Sequence, residues 1–319
     1  MNKQIIFYFL IALVVLTFII EVYSTPVIYK FNNDKKLDFL TPEKMKNAKP
    51  LTTRNLGFKT RSTKIKRNTT DSSKNTKSIP PLEKKISLAD VDQQQNIPIG
   101  KLFIHNQEGD LFTCTASVIN TQPEGDGNIG ITAAHCLYNF TTQTYYNNIY
   151  FSPGYDNGQP QPNPLSAISV DLTAVTVEFI NNNDDHFDWA LIKFDFNLNG
   201  QPLQYYTGSL GWALNVGDNI PTTIRGYPNE GQLPNCPNDG EHLCTWQGTP
   251  NLADYYLIPD LEIGEGASGS PLIMNYDPNT NLGTLYSNYA SFDEIEEEAL
   301  SPIYDPIEFQ ALLDEITRG

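Results

Sequence analysis

Apolar and β-branched residues fall in short runs along the chain, at residues 101–105, 113–119, 128–132, 148–151, 172–179, 190–194, 220–226, 255–257, 270–274 and 282–289. Each run has strand length, and clusters of Gly, Pro and Asn separate one from the next. Many short strands cut by turn residues predict an all-β fold of closed antiparallel sheets. The rhythm changes at the C-terminus. There Asp305, Pro306 and Glu308 form a helix start, and Phe309, Leu312, Leu313 and Ile316 recur at helical spacing, so one helix is predicted. No internal repeat is visible.

The N-terminus follows a different pattern. Lys3 precedes an apolar run over residues 5–20, and Val22, Tyr23 and Ser24 stand before a plausible cut ahead of Thr25. This predicts a signal peptide over 1–24, with a membrane anchor as the alternative. Residues 25–90 carry 16 lysines and arginines against six acidic residues, whereas 91–319 carry four against 30. The formal net charge of −16 conceals this division. A basic segment poor in apolar residues is expected to be largely disordered, and beside an acidic domain it reads as a propeptide that docks and shields a site. A disordered linker without that role is the alternative. Lys66-Arg67 and Lys84-Lys85 are candidate cuts. An acidic folded region repels phosphate, which excludes nucleic acid as the expected partner.

Candidate chemistry centres on Gly266-Ala267-Ser268-Gly269-Ser270-Pro271, a serine boxed by glycines. A serine hydroxyl attacks a carbonyl poorly unless an imidazole removes its proton, and the imidazole works best when a buried carboxylate fixes its tautomer. His135 and Asp188 are the candidates. Asp184 and Asp185 compete for the carboxylate role but sit in a polar Asn-rich stretch, whereas the apolar run from Trp189 can carry Asp188 inward. Backbone N–H groups of Gly266 and Ser268 are the expected oxyanion donors, since glycine lets the chain turn inward. The order His, Asp, Ser excludes the α/β-hydrolase arrangement, which places serine before histidine.

Thr132-Ala133-Ala134-His135-Cys136, Asp188-Trp189-Ala190-Leu191-Ile192 and Gly266 to Pro271 together resemble the three motifs of the trypsin/chymotrypsin-like serine proteases. Fifty-three residues separate His135 from Asp188 and 80 separate Asp188 from Ser268, as in that family. Within it the chain is most similar to the glutamyl endopeptidase-like branch, through residues 99–103, 114–119, 151–158 and Gly226-Tyr227-Pro228. The resemblance covers about residues 95–319. It implies two antiparallel six-stranded β-barrels, chymotrypsin-like, with the C-terminal helix packed on the second barrel. It also implies a disulfide between Cys114 and Cys136 that staples the histidine loop.

The remaining Cys236 and Cys244 are predicted to close a surface loop, because an oxidising compartment favours disulfides over a zinc site and the spacing lacks close ligand pairs. Ala267 stands where trypsin-like zymogens have the aspartate that pairs with a freed N-terminal amine, so activation by that pair is not expected. The glutamyl branch holds the substrate carboxylate with a histidine on the strand after the nucleophile. Residues 283–289 contain none, so glutamate specificity is not expected either. The register of trypsin-like enzymes instead brings Glu262 to the floor of the specificity pocket, where it would favour Lys or Arg; a solvated loop position is the alternative. Ser287 is implied on the edge that pairs with the substrate backbone. Asn68 and Asn139 begin N-glycosylation sequons.

These expectations combine into a secreted, monomeric serine endopeptidase with a protease domain over 91–319. Its partners are a protein or peptide substrate and its own propeptide, without metal or cofactor, and without stable membrane association once the signal is cut. The alternative from another class is a catalytically inert protease-like binding protein, which presents an acidic surface to a basic partner.

Overall fold

The computed structural model describes residues 26–31, 40–52, 77–86, 96–122, 126–157, 165 and 167–319. The signal-peptide expectation, Lys66-Arg67 and Asn68 lie outside these residues. Among the described residues, no helix is long and apolar enough to cross a membrane.

Six strands close a barrel in the first half of the domain. Ile99–His105, Leu111–Val118, Ile129–Thr132, Ala190–Phe194 and Ile168–Val175 pair antiparallel through their neighbours, and Asn147–Pro153 joins both ends of the series. Pairing of Ile168 with Phe151 and of Ser169 with Tyr150 completes the ring, which leaves the barrel without free edges. Leu102, Ile104, Ala116, Val118, Phe151, Val170, Ile192 and Phe194 fill its interior. Alternation along each strand sends the other residues outward, and several of these are also buried because further layers cover the outside.

The second half is built differently. Thr222–Gly226, Cys244–Gly248, Pro271–Asp277 and Leu282–Asn288 form an antiparallel set, to which Gly211–Ala213 adds in parallel. A separate four-stranded sheet contains Asn251–Leu252, Tyr256–Pro259, Glu298–Ser301 and Ser291–Asp293. The sixth strand of the larger sheet is Ser78–Ile79, which pairs with Trp212 and Ala213 and comes from the segment expected to be a leader.

Other parts of residues 25–90 are also built into the fold. Val27–Lys30 extends the first barrel's sheet along residues 172–175. The helix Pro42–Lys46, capped by Thr41, buries Met45 against Phe103, Tyr150, Tyr155 and Tyr227. Phe31, Met45 and Leu51 are each at most 6% exposed, so a few apolar residues anchor a segment whose average composition is polar. Strand pairing supplies the rest, since backbone bonding needs no particular side chain. Docking therefore rests on pairing and apolar anchors, with Lys30–Asp171 a long, largely exposed ion pair at 3.9 Å.

The C-terminal helix spans Pro306–Arg318. Asp305 accepts from the N–H groups of Ile307 and Glu308, and Pro306 occupies the first turn, as the sequence pattern requires. Its location differs from the expected one. Phe309 packs against Trp189 of the first barrel and Trp212 of the second half, with ring centroids 5.8 and 4.9 Å apart. Phe309, Leu312, Leu313 and Ile316 join Ile131, Leu172, Leu191, Ile273 and Leu285 in one core, so the helix seals the junction instead of packing on the second barrel. An apolar stripe four residues wide buries more surface in a groove between two sheets than on one.

Candidate active site

His135 and Asp188 meet because two neighbouring strands end at the same place. Ile129–Thr132 pairs antiparallel with Ala190–Phe194, in a register that sets Thr132 against Ala190. The chain leaving Thr132 and the chain entering Ala190 therefore share one end of the barrel. A single 3₁₀ turn, Ala134–Cys136, follows the first strand and presents His135. Asp188 precedes the second and is held by its own N–H donating to Asp185 and by Asn288 Nδ2 donating to its carbonyl, at 3.1 and 3.2 Å. Trp189, wholly buried in the core at the barrel junction, pulls this segment inward.

The resulting pair is closed on itself. Asp188 Oδ2 lies 2.7 Å from His135 Nδ1, and Asp188 Oδ1 accepts from the His135 backbone N–H at 2.9 Å. Both side chains are at most 1% exposed. A carboxylate can only accept here, so Nδ1 carries the proton and Nε2 is the ring's acceptor nitrogen. That is the tautomer a general base requires.

Ser268 arrives from the second half and is tied to the same end of the barrel. Its carbonyl accepts from the Thr115 N–H at 2.8 Å and lies 3.9 Å from Cys136 Sγ. Gly269, at φ +87°, packs so closely that a Cβ there would lie 2.2 Å from the Thr115 carbonyl oxygen and 2.3 Å from Thr132 Oγ1. Only glycine lets the serine turn approach the histidine turn this closely. The Cys114–Cys136 disulfide joins the two barrel segments that Ser268 touches. Cys236 and Cys244 form the second disulfide.

Carbonyls around the serine are held by hydrogen bonds, two from other segments and one within the turn. Glu265 accepts from the Asn229 N–H at 2.7 Å, Gly266 from Thr115 Oγ1 at 3.2 Å, and Ala267 from the Ser270 N–H at 2.8 Å. A trans peptide points its C=O and N–H in opposite directions, so the Gly266 and Ser268 N–H groups face away from these anchors. Among the described residues neither of the two donates to another backbone group. Beside Ser268 lies a cleft whose walls include Glu262, Gly264, Glu265, Tyr289 and Glu294, and Leu51 of the basic segment forms part of the same wall.

No protein-family model and no curated protein matches this chain. Solved structures do. A thermostable serine protease AL20 from an extremophilic microorganism superposes with a TM-score of 0.57 at 20% identity, over 70% of this chain and 98% of that one. Protease Anisep from Arthrobacter nicotinovorans gives 0.57 at 22%, over 71% and 98%. A Glu endopeptidase in complex with MPD gives 0.54 at 15%, over 74% and 96%. This chain has the trypsin/chymotrypsin-like serine protease fold.

Within that fold the remaining expected residues take up distinct environments. Glu262 lines the cleft beside Ser268 and is half-buried, as is Glu265; Glu294, which no motif marked, joins them from the turn after Asp293. Ser287 is fully buried, and its hydroxyl donates to the Pro302 carbonyl at 2.6 Å, so that side chain faces the protein interior. Asn139 caps an exposed turn by accepting from the Thr141 and Thr142 N–H groups. Lys84-Lys85 is docked, with the Lys84 N–H donating to Asn96 Oδ1 and the Lys85 N–H to the Tyr205 carbonyl. Motif reading missed Asn288, Asn229 and Thr115. Asn288 left a signal, since an amide inside the apolar run 282–289 must find buried partners, here Asp188 and Tyr304.

Proposed function

We propose that this chain is a secreted serine endopeptidase that cleaves peptide bonds through an acyl-enzyme on Ser268. The observation that carries the reading is the buried His135–Asp188 pair, with the Ser268 turn bonded to the same end of the barrel. In the first step Ser268 Oγ bonds to the substrate carbonyl carbon while its proton passes to His135 Nε2. Asp188 stabilises the imidazolium through the Nδ1–H bond. The oxyanion accepts from the N–H groups of Gly266 and Ser268, whose peptide planes are set in advance and cost no reorganisation as charge develops. Collapse breaks the C–N bond, and His135 returns the proton to the leaving amine. Water then repeats the sequence on the ester, which frees the acid and restores Ser268.

Two finer parts of the reading have their own support. Glu262 at the cleft wall favours a lysine or arginine side chain ahead of the scissile bond, because a carboxylate in a partly closed pocket pairs with a cation. Residues 25–90 act as the chain's own propeptide. Lys49–Pro50 pairs in parallel with residues 112–113, Leu51 donates its N–H to the Thr113 carbonyl, and Leu51 lines the Ser268 cleft. A segment lying against the cleft narrows access for substrate, and its removal during maturation opens the site.

Labelling with a fluorescent organophosphonate tests the assignment. The full chain should label weakly, the chain cut within residues 53–76 strongly, and Ser268→Ala not at all with its melting temperature unchanged. Absence of labelling after processing would favour the inert binding protein, and equal labelling of Ser268→Ala would exclude Ser268 as nucleophile.

A further inference from the structure

The serine turn of this chain lacks the ion pair that a freed N-terminal amine could make, because Ala267 occupies the position next to Ser268 and is itself fully buried. Something else must set the peptide planes around the nucleophile. Thr115, wholly buried on strand Leu111–Val118, makes three connections that meet there. Its Oγ1 donates to the Gly266 carbonyl at 3.2 Å and accepts from the Tyr227 N–H at 3.1 Å. Its own N–H donates to the Ser268 carbonyl at 2.8 Å. One residue of the first barrel thus grips two alternate carbonyls of the turn and the neighbouring loop of the second half.

The loop it grips is itself anchored. Tyr227 OH donates to the Tyr155 carbonyl at 2.9 Å, Tyr155 OH donates to Glu241 Oε2 at 2.6 Å, and Lys101 Nζ donates to Glu241 Oε1 at 2.8 Å. Lys101 is 1% exposed. Glu241 and Lys101 belong to different halves of the molecule, so their pair holds the Tyr227 loop against the first barrel. Two residues beyond Tyr227, the Asn229 N–H holds the Glu265 carbonyl, the other half of the peptide that carries the Gly266 N–H. Space for the hydroxyl is provided by Gly226, where a Cβ would stand 3.2 Å from Thr115 Oγ1 and 1.8 Å from Ser270 Oγ.

We infer that Thr115 is a positioning residue for the oxyanion donors: its hydroxyl, bridging Tyr227 and Gly266, keeps the Gly266 N–H and Ser268 N–H aimed at the reacting carbonyl in place of a terminal ion pair. The inference rests on the proposed protease activity. It differs from that activity in what it demands, because the hydroxyl touches neither substrate nor Ser268 Oγ. Removing it frees the Gly266–Ala267 peptide, which carries neither donor but links the peptide bearing the Gly266 N–H to the one bearing the Ser268 N–H, and its rotation tilts both donors, which act only when charge develops. The loss must therefore appear in kcat and in affinity for an oxyanion mimic, with little change in substrate binding.

The test compares Thr115→Val with Thr115→Ser in the processed protein, with melting temperatures recorded for both. Valine keeps the shape and removes the hydroxyl; serine restores it. Expected for Thr115→Val is a fall in kcat of about 100-fold, the scale of a small misplacement in a preorganised site, with KM within about threefold. A peptide boronate should lose affinity in parallel with kcat, and Thr115→Ser should recover most of both. Wild-type rates for a folded Thr115→Val, equal losses in kcat and affinity for a product-like peptide, or failure of Thr115→Ser to recover activity would each overturn the inference. If the wild type itself neither labels with the phosphonate nor cleaves, the protease reading falls and this one with it. Normal wild-type activity with an indifferent Thr115 defeats this one alone.

Discussion

Two histidine–aspartate pairs stand within a few residues of each other and have nearly the same bond length. His135 Nδ1 lies 2.7 Å from Asp188 Oδ2, and His186 Nδ1 lies 2.8 Å from Asp184 Oδ1. The first joins residues 53 apart, with both side chains at most 1% exposed. The second is a local turn contact, in which Asp184 caps the following residues and the side chains are 21% and 33% exposed. His186 also stacks on Tyr255, with ring centroids 4.4 Å apart. Distance alone therefore does not distinguish a candidate catalytic pair from a surface one. Burial does, because a hydrogen bond to a carboxylate shut away from water keeps its geometry and strength, whereas water screens the exposed pair.

The comparison breaks first at the two carboxylates. Asp188→Asn should lower kcat by about 10⁴-fold, because the amide forces the wrong imidazole tautomer while leaving the shape intact. Asp184→Asn should leave kcat within about threefold. Steady-state hydrolysis of a peptide substrate measures both, and comparable losses in the two variants would mean that burial does not separate the two pairs.

A smaller effect tests what keeps Asp188 dry. Asn288 Nδ2 donates to the Asp188 carbonyl, and Asn288 Oδ1 accepts from Tyr304 OH at 2.9 Å. Asn288→Ala leaves both buried partners unsatisfied and should cost about 2 kcal/mol of stability. Urea unfolding reads that cost, and the pH–rate profile of the variant should shift if water reaches the His135–Asp188 pair. A stable variant with an unchanged profile would show that Asn288 does not guard it.

The smallest effect concerns the exposed side of the comparison. Burial raises the Asp185 carboxyl above its ordinary value of 3.8, partly offset by the hydrogen bond from Tyr255 and by His186. A group whose folded pKa is raised binds its proton more tightly when folded. Its contribution to stability is fully present below 3.8 and declines as the pH rises through the folded value. Asp185→Asn keeps an acceptor for Tyr255 and should flatten that decline, by about 0.5 kcal/mol or less because the side chain is partly exposed. Thermal melts at pH 4 and pH 7 would detect it; an unchanged slope would assign the decline to other groups.

Much of the candidate site was legible because its parts are local. The runs ending at Thr132 and beginning at Ala190, the glycines around Ser268, and the cap at Asp305 are short-range patterns with short-range causes. The apolar run after Trp189 argued for an inward Asp188 over Asp184 and Asp185, and that burial is what the fold provides. Less of the second half could be read. Its strands were visible, yet their division between two sheets, and the recruitment of Ser78–Ile79 into one of them, depend on pairings between residues distant in the chain, as far apart as Ile79 and Trp212. The described parts of residues 25–90 were underestimated for a related reason. Composition measures mean burial, and three anchors with strand pairing need little of it.

By itself, then, the sequence determined the residue types that chemistry requires, the strand-rich class, the C-terminal helix and the cysteines available for pairing. These follow from periodicity, capping and side-chain chemistry, which act over a few residues. Only the tertiary structure decided that Thr115 reaches Gly266, that Ser287 turns inward, that Leu51 lines the Ser268 cleft and that the helix seals the junction. Those outcomes depend on which surfaces meet, and the free energy of close packing and buried hydrogen bonds belongs to the assembled core, not to any one segment.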